Sequence, residues 1–300
     1  MITLRRARER RHERRRTQEA WLTFDPRDGP NPLDEAFGCL EILGEHRLPP
    51  GASVPHPQRD AEIVTYVREG ALAYADSLGH SGVIHTGEFQ HMTALRGVRH
   101  RETNVSRSDW AHVFQIWLRP SEVGLAPGQE QKRFSAAERR GLLRVVASSD
   151  GRRASLRVHQ DALLCSAMLD PGQHVVHELA PGRSAWLHVV KGEVTLGDVV
   201  VGTGDGAGLC GERSVSLTAR EETEILLVDL GEASASARQA DRPPVVGVDV
   251  GVLLPIQNGK RPPTNGTVES DLVGLPSDRS DLAGIPAGRA VASDVGRPAA

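Results

Sequence analysis

Two pairs of polar residues spaced two apart, His56 with Gln58 and His100 with Glu102, are the residues of this 300-residue chain best suited to chemistry. On an extended strand, residues i and i+2 point to the same face. If the chain between the pairs makes hairpins and returns, the pairs face each other inside one barrel. Two imidazoles and one carboxylate then surround a common point. Those donors suit iron, manganese, nickel, copper or zinc, and two histidines with one carboxylate and open positions is the arrangement of non-haem iron(II) oxygenases. An H-x-Q or an H-x-E alone is a weak signal, so the elements that would position them decide its weight.

Those elements read as strands. From about Phe37 to Leu230, short apolar and β-branched runs recur, among them 62–67, 110–117, 184–190 and 224–228. Several alternate with period two. Gly-centred turns separate them, at Gly70, Gly79, Gly87 and Gly192. Many short strands with Gly turns and few helical patterns predict barrels or sandwiches. The stretches 66–70 and 189–193 repeat one device, a β-branched strand running into a charge and a Gly turn, and each is followed by a second Gly turn, at Gly87 and Gly204. This weak internal duplication predicts two related barrels.

Composition narrows the rest. A net charge of −3 gives no reason to expect whole-chain attraction to nucleic acid or to anionic membrane. The local exception is an Arg-rich start, Arg5 to Arg16, read as a solvated terminal segment or as a basic arm for phosphate or an acidic partner. Cys39, Cys165 and Cys210 are far apart and form no C-x-x-C pair, which predicts a reducing compartment. No run approaches the ~20 apolar residues of a membrane span, so a cytoplasmic location is expected. Of the other histidines, His80, His85, His91 and His112 are expected in surface or packing roles, and His174 and His177, with Glu178, as structural or exposed. Met92 and Trp117 are expected to fill the barrel. Beyond Gly231 the chain is rich in Gly, Pro, Ala, Ser, Asp and Arg and lacks aromatics. That composition predicts a disordered segment over 233–300, interrupted by an apolar island at 245–256.

The run from His56 to Gly70 (HPQRDAEIVTYVREG), with DSLG at 76–79, resembles the first cupin motif of the pirin family. The run from Gly87 to Glu102 (GEFQHMTALRGVRHRE) resembles the second. The phrases FQIWLRP at 114–120, EQKRF at 130–134 and VHQD at 158–161 are similar to the same family, so the resemblance spans about 1–230. It implies an all-β bicupin, two jelly-roll cupin barrels in tandem. Residues 1–126 would form the metal-binding N-terminal barrel, 127–141 a linker, 142–232 a metal-free barrel and 233–300 the tail. It further implies one iron-like metal on three histidines and one glutamate. Some bacterial members oxidise flavonols such as quercetin with O₂, as quercetin 2,3-dioxygenases, and a mammalian member is a nuclear transcription coregulator.

Carried over by position, His56, His100 and Glu102 match ligands, whereas the remaining family histidine falls on Gln58. A neutral amide oxygen is a weaker donor than imidazole for late first-row metals. Three readings follow. Gln58 is a weak fourth ligand or an outer hydrogen-bond donor; Glu62, of the same parity as His56, swings in; or the site has decayed and is empty. Two functions are expected accordingly. One is a mononuclear enzyme, with iron(II) placed before manganese, nickel, copper and zinc, a flavonol-like aromatic substrate and Glu102 as a catalytic base. The other is a non-catalytic regulator that binds a protein partner.

Overall fold

Strands form where β-branched and apolar residues run between Gly turns. The structure, a computed structural model, describes residues 1–24, 36–56 and 59–231, all within one compact unit. Gln58 and the 233–300 segment fall outside the described residues.

The first half holds β1 (Ile2–Arg5), β2 (Arg11–Arg15), β3 (Gln18–Phe24), β4 (Leu40–Leu48), β5 (Ser53–Pro55), β6 (Ala61–Glu69), β7 (Ala71–Asp76), β8 (Ser81–His85), β9 (Glu88–Ala94), β10 (His100–Asn104), β11 (Ala111–Leu118) and β12 (Gly128–Arg133). After a one-turn helix, α1 (Ala136–Arg139), come β13 (Arg144–Ser148), β14 (Leu156–Arg157), β15 (Ala162–Leu169), β16 (His174–Glu178), β17 (Ser184–Lys191), β18 (Glu193–Leu196), β19 (Val199–Gly202), β20 (Gly206–Cys210), β21 (Ser214–Ala219) and β22 (Thr223–Leu230).

The first barrel pairs a seven-stranded sheet, β12-β9-β6-β11-β4-β3-β2, with a four-stranded one, β5-β10-β7-β8. The second repeats the plan with β1-β20-β17-β22-β15-β13-β14 and β16-β21-β18-β19. The strand orders superimpose one for one, and the Gly70 and Gly192 turns, both at positive φ, occupy equivalent places. At Gly192 an added Cβ would strike the Glu222 carbonyl, so only glycine fits.

Two segments lie elsewhere than the sequence reading puts them. The expected linker carries β12, which pairs with β9 of the first barrel. The first residues of the chain pair with the second barrel, Ile2 opposite Leu209 through Arg5 opposite Gly206. Both extend open sheet edges, whose unpaired backbone groups recruit extended chain.

The Arg-rich start is docked at some positions and solvated at others, with Arg8, Arg14, Arg15 and Arg16 exposed. Arg5 and Arg10 are buried. Arg10 pairs with Glu45 at 2.8 Å, Arg6 pairs with Asp205 at 2.8 Å, and Arg5 stacks on Phe24. Carboxylates distant in sequence pair with Arg6 and Arg10, while Arg11 and Arg15 pair with the neighbouring Glu13.

The largest core lies between the barrels. On β6, Val64 and Tyr66 face the second barrel and join Phe89, Phe114, Val158, Trp186 and Val228. The alternate residues Ile63 and Val67 face the first barrel's own interior, with Trp117 and Leu72 respectively. Strand β6 therefore reads apolar on both faces, as a strand buried on both sides must.

Candidate metal centre

His56 follows directly on β5, and its backbone N–H donates to the His100 carbonyl at 3.1 Å. That bond extends the β5–β10 ladder by one residue and brings the imidazoles together. Their rings stack with centroids 4.7 Å apart and planes 6° apart. His56 Nε2 lies 2.9 Å from Glu102 Oε2. All three side chains are largely buried. The strand parity of His100 and Glu102 therefore does what the i, i+2 spacing predicts. Gln58, the fourth member of the expected set, lies outside the described residues.

The opposite sheet supplies partners that the sequence does not reveal. From β11, Gln115 Nε2 donates to both Glu102 oxygens, at 3.0 and 2.8 Å. Trp117 Nε1 donates to Gln115 Oε1 at 3.4 Å, and its ring lies 6.0 Å from His56 and 6.3 Å from His100. Trp117 does fill the barrel, but it also walls the site. His46, on β4, faces the same cleft, with Gly44 leaving room for its ring. The cleft has a volume of about 330 Å³ and is lined by Ile42, His46, Val54, His56, Gln115 and Trp117, with Glu13 and Arg15 at its rim.

The electrostatics suit a cation. Burial, with the nearby His56, pushes His100 down to about 4, and burial with His56 likewise lowers His46 to about 4. Both imidazoles are neutral at pH 7 and offer lone pairs. Burial alone would raise the Glu102 carboxyl, but the adjacent imidazoles outweigh it and hold the group below the ordinary carboxylate range. The neutral His100 imidazole beside the ionised Glu102 carboxylate supplies deprotonated donors of the kind a divalent transition metal requires.

Glu62 does not join this set. It lies on the face of β6 opposite Ile63 and pairs with His91 at 2.6 Å and His159 at 3.3 Å. The reading in which it swings in to replace Gln58 is set aside by that direction. Of the histidines expected in surface or packing roles, His91 and His112 take the packing role: both are buried, His91 on Glu62 and His112 on Glu45.

In the second barrel, the strand registers place Val215 and Leu217 at the positions of His100 and Glu102, and His177 at that of His56. Val215 and Leu217 are each 1 % exposed and supply no donor, while His177 pairs with Asp229 at 2.7 Å. His174 is exposed and bonds Thr218.

Similarities to known proteins cover both barrels. Residues 4–118 match the family described as Pirin, and residues 145–230 match the quercetinase C-terminal cupin domain. The chain is 38 % identical over 231 residues to a quercetin 2,3-dioxygenase of Escherichia coli K12, covering 77 % of this chain and 99 % of that protein. A pirin-like protein of Caulobacter vibrioides is 34 % identical over 201 residues, covering 66 % of this chain and 86 % of its own. Among solved structures, bacterial pirin YhhW from E. coli in complex with nickel(II) is similar at a TM-score of 0.71 and 37 % identity, covering 77 % of this chain and all of that one.

Proposed function

The chain belongs to the pirin family, and on that footing we propose that its N-terminal barrel is a mononuclear metal site that oxidises flavonol-type aromatics with O₂. The ligands are His56, His100 and Glu102, with Gln58 as a weak fourth. The observation that carries the reading is the His56–Glu102–His100 cluster, whose His56 lines a cleft that Trp117 also lines. Iron(II) is the metal placed first, and nickel(II), as in the related complex, the next to test.

A bound metal would supply Lewis acidity toward a chelating flavonol and a binding position for O₂. The chain's residues do the rest. Gln115 fixes the Glu102 carboxylate through two hydrogen bonds, and Trp117 fixes Gln115 in turn. The indole offers a flat wall for a planar aromatic. Glu102, ionised at neutral pH, is the base for a flavonol hydroxyl proton. Dioxygenation places both O₂ atoms in the substrate, which supplies the electrons, so no external reductant is needed.

No helix among the described residues is long and apolar enough to cross a membrane. Cys39, Cys165 and Cys210 are free thiols, which supports a cytoplasmic, reducing location.

The deciding assay loads metal-stripped protein with iron(II) or nickel(II) and follows flavonol loss with O₂ uptake. Turnover is expected in the parent and absent in Glu102→Ala and His100→Ala. Metal uptake without turnover would support the second reading, a regulatory protein acting through a partner, which the amide at Gln58 favours.

A further inference from the structure

A second donor cluster lies on the other face of the sheet that holds the cleft, where the two barrels meet. Glu62 on β6 and His91 on β9 belong to the first barrel, and His159, between β14 and β15, to the second. One donor atom from each lies within 4.8 Å of the others. His91 Nε2 is 2.6 Å from Glu62 Oε2, the His159 backbone N–H donates to that oxygen at 2.8 Å, and His159 Nδ1 lies 3.3 Å from it.

Glu62 is 0 % exposed, and its Oε1 has no hydrogen-bond partner. Its ion-pair partners among the described residues are the two imidazoles, with no lysine or arginine. Desolvating a carboxylate is unfavourable unless a cation compensates. A carboxylate that meets two imidazoles through one oxygen and leaves the other without a partner offers the nitrogen-and-oxygen donor set of zinc-class divalent ions. His91 is 4 % exposed and rigid on its strand, whereas the His159 side chain is 42 % exposed and leaves a path from solvent.

We propose that Glu62, His91 and His159 form a second binding site for a zinc-class divalent metal, separate from the cupin cleft, which clasps the two barrels together. It draws ligands from both barrels, so the bound metal stabilises their packing.

The test uses the full-length, untagged chain with the cleft disabled by His100→Ala and Glu102→Ala, so its outcome is independent of the proposed oxidation. Titration with zinc(II), and with cobalt(II) followed by its visible absorption, is expected to show one bound equivalent and a raised melting temperature. Adding His159→Ala, a partly exposed position that does not threaten folding, is expected to weaken binding at least tenfold and abolish the thermal shift. Adding His91→Ala is expected to do the same. Absence of binding in the cleft-disabled protein, or binding unchanged by His159→Ala and His91→Ala, overturns the proposal.

Discussion

Gln58 is where the chain departs from the ligand set that the pirin resemblance implies. An imidazole is a stronger donor than an amide oxygen for late first-row metals. Gln58→His is expected to raise iron(II) affinity roughly tenfold or more, because changes even around the ligands shift affinity ~10–100-fold. Anaerobic titration of metal-stripped parent and variant checks it, and equal, negligible binding in both would mark the pocket as decayed. Gln115 carries the converse expectation. Gln115→Leu removes both hydrogen bonds to the buried Glu102 carboxylate. Metal affinity is expected to fall about tenfold or more, with the melting temperature of the metal-free protein changed far less than the affinity.

The N-terminal segment is the element that departs most from its reading as a charge run. Its first strand completes the second barrel's sheet, while Arg10 reaches back to Glu45, which also holds His112 at 2.8 Å. The Arg10 side chain is 2 % exposed. Arg10→Ala leaves the Glu45 carboxylate without its guanidinium partner, and removing one member of a buried pair costs ~3–5 kcal/mol. A fall in melting temperature of roughly 10 °C is expected, at ~2–4 °C per kcal/mol for a domain of this size. A loss under two degrees in calorimetry would show that His112 alone satisfies Glu45. Deleting residues 1–10 removes the same ion pair and the β1 edge together, and is expected to destabilise more than Arg10→Ala.

Across the whole molecule, buried imidazoles shape the response to acid, and one of them sits in the inter-barrel core. His188 lies in the buried layer between the sheets, its ring 5.8 Å from that of Phe114, and neither ring nitrogen has a hydrogen-bond partner. Burial, aided by the positive charge of Arg10 and only partly opposed by Glu45 and Asp205, pushes it down to about 3. The folded state therefore binds this proton less tightly than the unfolded chain, where the ordinary value is near 6.5. Its stabilising contribution is complete above pH 6.5 and is lost as pH falls from there toward 3, at up to ~1.4 kcal/mol per pH unit. Glu45, brought down to about 2 against the effect of burial by His112 and Arg10, adds loss below pH 4.5 in the same direction. Urea unfolding from pH 7 to pH 4 is expected to show a steady fall that His188→Leu makes shallower without abolishing it, because His46 and His100, each lowered to about 4, lose stability over the same range. A parallel decline in parent and variant would assign the acid sensitivity to other groups.

The strand pattern, the duplicated Gly turns and the parity of His100 with Glu102 were legible from the residues alone, because each depends on backbone geometry within one strand or turn. Parity failed for Glu62. Strand β5 ends at Pro55 and β6 begins at Ala61, and an alternation of two does not carry across the break between them. Gln115, Trp117 and His46 reach the cleft from strands of the opposite sheet, and nothing in their local sequence marks them for it. The same holds for the partners of the N-terminal arginines: Glu45 and Asp205 lie 35 and 199 residues from Arg10 and Arg6. Which histidines meet which carboxylates was decided by the closing of each barrel and by the packing of one barrel on the other, since that packing sets which face of β6 is the interior of a site and which is an interface.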